Sequence, residues 1–114
     1  MSYLSTDLLS GRGSEVHYKI SESQIDFQWN TIVFSLYKSE LNEVLNGFFS
    51  NTEKWYELGA NMTDVKEGGL GNFIVNITSG RLTPRHASAI AAVLVKEKLL
   101  LSKGIKPIML KKYI

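Results

Sequence analysis

Three observations predict an α+β domain: paired apolar alternations of period two near the start, apolar stripes of helical period through the middle, and two apolar runs around a lysine-glycine turn at the end. The 114 residues suffice for one ordinary core and are too few for two comfortable ones. Hydrophobic residues make up 44% and charged residues 21%, a balance that argues for a packed core and against disorder. The chain divides into a flexible N-terminal arm over residues 1–14 and a single α+β domain over residues 15–114.

The arm ends in Ser10-Gly11-Arg12-Gly13-Ser14, a composition that frays. Val16, Tyr18 and Ile20 then alternate with polar neighbours, as do Ile25, Phe27 and Trp29, with Ser21–Gln24 between them. That is a β-hairpin with one buried face. From Asn30 the period lengthens: Val33, Leu36, Tyr37, Leu41, Val44, Leu45, Phe48 and Phe49 recur at helical steps, and Asn30 or Thr31 can cap the start. The β-branched opening Thr31-Ile32-Val33 leaves open a strand that runs on to about Leu36. Ser50-Asn51-Thr52-Glu53 has the spacing of a capping box, so Trp55, Tyr56 and Leu58 are expected on a short helix closed by Gly59.

A turn-rich linker follows from Asn61 to Gly71. Leu70, Phe73, Ile74 and Ile77 fall on one face of a two-turn helix, while Phe73, Val75 and Ile77 also alternate, so this stretch reads as helix or strand. Thr83-Pro84 opens the next helix, to about Lys98, with threonine as cap and proline where its missing N–H costs nothing. Leu99-Leu100-Leu101-Ser102 and Ile105–Leu110 around Lys103-Gly104 form a closing hairpin. Pro107 cannot donate to a ladder, which predicts an edge position for its strand.

Charge is unevenly spread. Residues 81–114 carry eight basic side chains against Glu97 alone, a net +7, whereas residues 1–80 carry five basic and ten acidic ones, a net −5. A dipolar chain of this kind suggests a polyanionic partner for its basic end, or an acidic surface that neutralises it within the fold or a homodimer.

The order helix, turn, helix, strand, basic turn, strand over residues 70–112 resembles winged helix-turn-helix DNA-binding domains. The resemblance rests on Thr83-Pro84-Arg85-His86-Ala87-Ser88 opening the second helix and on Leu99–Ile108 as the wing. It implies double-stranded DNA as partner, with Arg85, His86 and Ser88 facing base edges or phosphates, Arg81 beside them, and Lys103 and Lys106 reaching the backbone. The first helix is short and starts among glycines, which departs from that pattern. A protein-interaction role (immunity factor, inhibitor or adaptor) through the acidic, aromatic-rich N-terminal portion is the alternative.

Other chemistries find little support. With no cysteine there is no disulfide, thiolate zinc site or thiol nucleophile, and a reducing, cytoplasmic setting is expected. The start lacks the basic and apolar blocks of a signal peptide, and Ala87–Leu101 is broken by Lys96-Glu97-Lys98 and too short to span a bilayer. His17 and His86 lack metal-ligand spacing and could form an acid–base pair only through folding. Gly68-Gly69-Leu70-Gly71 lacks the closing Gly-Lys-Ser/Thr of a Walker loop and the Gly-x-Gly-x-x-Gly of a dinucleotide turn. No enzyme, cofactor or metal is therefore expected.

Overall fold

The computed structural model describes residues 3–63 and 66–113. Met1 and Ser2 of the expected arm, Asp64 and Val65 of the expected linker, and Ile114 lie outside the described residues. The fold is mixed α+β: a four-stranded antiparallel sheet, three helical segments and a smaller three-stranded sheet.

The first sheet is a meander of β1 (Leu4–Thr6), β2 (Val16–Ile20), β3 (Gln24–Trp29) and β4 (Ile32–Tyr37). The expected hairpin is its centre, with Tyr18 opposite Phe27 and Ile20 opposite Ile25. Part of the expected arm is instead a strand, Leu4 pairing with Tyr18 and Thr6 with Val16. The expected long helix also needs correcting. Trp29 pairs with Ile32, so Asn30-Thr31 is a two-residue hairpin loop, and Asn30 takes a φ of 59° that asparagine tolerates. Ile32, Phe34 and Leu36 then alternate inward as β4. Phe27 and Phe34 stack across the strands with ring centroids 4.5 Å apart. The other face is polar: Ser35 Oγ and Gln24 Nε2 each donate to Asp26 Oδ1 at 2.6 Å.

Helix appears only after β4. The helix α1 (Lys38–Asn42) runs straight into wider π-helical turns over Glu43–Phe48. Gly47 lies there facing Phe73, where a Cβ would stand 3.6 Å from the ring, an ordinary contact. The short helix expected around Trp55 is absent. Asn51 Oδ1 instead accepts the Glu53 N–H in a local turn, and Tyr56–Glu57 form β5.

The α2 helix (Leu70–Ile77) resolves the helix-or-strand ambiguity in favour of helix, and α3 (His86–Lys96) follows after a turn. Gly71 is where α2 crosses the chain leaving β5. Its N–H donates to the Leu58 carbonyl at 2.9 Å, and a Cβ there would collide with the Gly59 carbonyl oxygen. The Gly69 N–H is likewise used, donating to Lys66 O at 3.0 Å. The glycine cluster is a packing device, and those two amides are already satisfied.

The core forms around α3, in which Ala87, Ala89, Ile90, Ala91, Ala92, Val93 and Leu94 are all buried. Alanine's small side chain lets β1, β2, α2 and β6 all approach this helix. At its end Lys98 takes a φ of 62°, the Leu99 N–H reaches Leu94 O at 2.8 Å and the Lys98 N–H reaches Val95 O at 3.0 Å, a Schellman closure. Tyr18, its ring buried in the core, donates from Oη to the half-buried Glu97 Oε2 at 2.5 Å and ties β2 to that end of the helix.

The closing hairpin is present as β6 (Leu100–Lys103) and β7 (Met109–Lys112), in a sheet ordered β5-β7-β6. The expected edge position of the Pro107 strand is corrected on two counts. Pro107 precedes the ladder, in the loop over residues 104–108, and β7 is the central strand. Its N–H groups serve the ladder because the proline stops short of it.

Candidate nucleic-acid interface

The residues expected at a DNA surface separate into three groups. Arg81 is exposed but committed to contacts within the protein. Its guanidinium donates to Glu40 Oε2 at 2.9 Å and Oε1 at 2.8 Å, donates to the Ser35 carbonyl at 2.9 Å, and lies 4.5 Å over the Tyr37 ring. Burial alone raises the Glu40 carboxyl, but Arg81 and the Tyr37 N–H outweigh it and hold the group below 4.5. Arg81 therefore clamps the turn after α2 to the β4–α1 junction.

The second group surrounds the start of α3. Thr83 is not the expected cap, since Pro84-Arg85 form a turn and Arg85 is the N-cap; the Thr83 N–H donates to His86 Nδ1 at 2.9 Å, three residues on. That bond has the pattern of the reciprocal half of a capping box, with imidazole in place of carboxamide, closed around the turn. His86 packs edge-on against Phe34 with centroids 4.6 Å apart, so it points into the core. Burial, assisted by Arg81 and Arg85, keeps its pKa below 6.5. His17 lies on the opposite, polar face of the same sheet, beside Glu15 at 3.5 Å, so the two histidines cannot share a phosphate. Arg85 is exposed, with its guanidinium 5.6 Å from the Trp29 ring centre. Ser88 is half-buried between two open hollows of about 420 and about 330 Å³. The winged-helix arrangement requires an exposed second helix. Here that helix is interior, and it has no face that could lie in a groove about 12 Å wide.

The third group is on the small sheet. Leu110 and Leu100 point inward, so by alternation Met109, Lys111, Leu101 and Lys103 point outward. Glu57 pairs with Met109, and Trp55, two residues earlier, stands on the same outer face beside Lys111. Lys103 Nζ lies 4.2 Å and Lys111 Nζ 5.7 Å from the Trp55 ring centre. Lys54 Nζ lies 4.9 Å from the Tyr56 ring centre, and Lys106 is exposed in the loop above the sheet. The outer face thus combines one half-buried indole, the exposed Leu101, Lys103, Lys111 and a single acid, Glu57, whereas Tyr56 and the Lys54 ammonium over it belong to the inward side.

Electrostatics separates this face from the other basic residues. Among the described residues from 81 onward, Arg81 alone forms an ion pair with a carboxylate. Glu97, the acidic residue of that region, is engaged by the Tyr18 hydroxyl. The lysines of β6 and β7 thus form no ion pair with a carboxylate among the described residues, although Glu57 stands on the same outer face opposite Met109.

The sequence pointed to Lys103 and Lys106 but missed Trp55 and Lys111. The pairing that brings β5 beside β7 spans some fifty residues and leaves no local mark. Among the described residues no helix is long and apolar enough to cross a membrane, and no cluster of three or more His, Asp or Glu could hold a metal ion. The chain matches no protein-family model, no curated protein and no solved structure.

Proposed function

We propose that the protein is a non-catalytic nucleic-acid-binding protein whose contact surface is the outer face of the C-terminal sheet. The observation that carries this reading is the pair Lys103 and Lys111 over the Trp55 ring on the outer sheet face, with Lys106 exposed in the loop between their strands and none of the three ion-paired among the described residues. Clustered cations release condensed counterions from a phosphate backbone, and that release drives association. Arg85 and Ser88, at the start of the buried helix, stand outside this surface. Arg81 and His86 serve the fold.

The test is fluorescence anisotropy of labelled nucleic acid titrated with the protein at several salt concentrations. Three phosphate contacts give a log–log salt slope of about −2.5, roughly a thirty-fold loss of affinity from 50 to 200 mM salt. Each of Lys103→Ala and Lys111→Ala should reduce the slope by about 0.7 to 0.9. Absence of binding at low salt, or a slope indifferent to these lysines, refutes the reading.

A further inference from the structure

Resting on that reading, we infer that the surface is built for single-stranded nucleic acid, with Trp55 as the platform on which a base stacks. A duplex presents phosphates and base edges but keeps the flat faces of its bases within its own stack. A single strand presents both phosphates and free aromatic faces. The outer face of the small sheet offers the matching pair: an indole in line with Lys111 on the neighbouring strand, and Lys103 reaching across from the next.

In the free protein the two ammonium groups sit over the indole, and their long side chains can leave it. A cation above an exposed ring is worth about two- to five-fold in an equilibrium, whereas a base stacked on an aromatic side chain is worth roughly five-fold to more than a hundred-fold. An arriving strand therefore wins the ring. Its phosphates draw Lys103 and Lys111 aside while a base takes their place. The same lysines that cover the ring in the free state neutralise the backbone in the bound state. Leu101 and Met109, on the same face, extend the apolar floor beside the indole.

The chemistry is shared by DNA and RNA, so the probes are a twelve-nucleotide oligo-dT, the matching oligo-U and a duplex of equal length. Anisotropy at fixed low salt should give tighter binding to at least one single strand than to the duplex, and comparing the two single strands identifies the preferred sugar. Trp55→Ala should weaken single-strand binding roughly ten-fold and leave duplex binding unchanged, while Trp55→Phe should retain most of the affinity. A second readout needs no variant. The chain has two tryptophans, and Trp29 is 6% exposed, so quenching on single-strand addition should come from Trp55. Lysine-dependent binding with the duplex bound as well as the single strands, or no effect of Trp55→Ala, overturns the inference and leaves the broader reading standing. Failure of all three probes to bind overturns both.

Discussion

Replacing Arg81 tests whether this residue serves the fold or a ligand. In the wild type its guanidinium makes two bonds to Glu40 and one to the Ser35 carbonyl, with side-chain exposures of 38% for Arg81 and 12% for Glu40. An exposed ion pair is worth about 1 kcal/mol at most. The bidentate geometry and the largely covered carboxylate raise the cost of Arg81→Ala to about 2 kcal/mol. For a domain of this size that lowers Tm by roughly 6–10 °C. The pH dependence is more diagnostic than the size. In the wild type Glu40 titrates below its ordinary 4.5, so its contribution is complete above that pH and is lost as pH falls through the lowered value. In the alanine variant the guanidinium is gone while burial remains, so protonating Glu40 relieves a penalty. The stability gap between the two proteins should therefore be widest near neutrality and close towards about pH 3. Arg81→Lys, unable to form the fork, should recover less than half of it. Chemical denaturation at a series of pH values measures the gap. A difference below about 0.5 kcal/mol at neutral pH, or one constant down to pH 3, refutes the clamp. At temperatures where both proteins are folded, nucleic-acid affinity should be equal.

Three further outcomes follow from geometry elsewhere. Gly71→Ala should cost about 2–3 kcal/mol, because the colliding partner is backbone and cannot rotate away; an unchanged melting curve would show that the crossing at Gly59 is loose. Tyr18→Phe should cost about 1–2 kcal/mol by stranding Glu97. Burial and Glu97 push the Tyr18 phenol up to about 12 from 10.0, so the wild type should hold its full contribution below pH 10 and lose it between pH 10 and 12; a phenylalanine variant with the same alkaline profile contradicts this. His86, whose pKa is held below 6.5, should make stability fall as the pH drops below 6.5, since the unfolded chain takes up the proton first. His86→Gln keeps an acceptor for the Thr83 N–H and should flatten that profile; persistence of the slope would assign it to another group.

What the sequence made legible was local. The β2–β3 alternation, the α2 stripe, the Thr83-Pro84 turn that leads into α3 and the closing hairpin each rest on contacts between near neighbours. The errors have physical causes. Asparagine favours both a helix cap and a positive-φ hairpin loop, so Asn30 could be read either way. Tyr37 and Leu41 fall four apart, at helical spacing, although one ends a strand and the other lies in a helix, because the stripe crosses their junction. Two-residue β5 exists only through its pairing with β7, and with it Trp55 joins the candidate surface. The helix chosen for DNA recognition carried its own warning in Ala87, Ala89, Ala91 and Ala92, whose small side chains suit a helix enclosed on several sides.

That enclosure has an evolutionary consequence. The alanines of α3 fix how closely the surrounding elements approach, so enlarging one of them disturbs several packing layers at once. The lysines and the indole on the far side of the small sheet contribute little to that spacing. Scaffold and the proposed contact surface thus answer to nearly separate sets of positions. On that proposal, sequence drift on the outer face can retune affinity or change the preferred ligand while the interior is held, and two descendants of this chain could share a fold while binding different things.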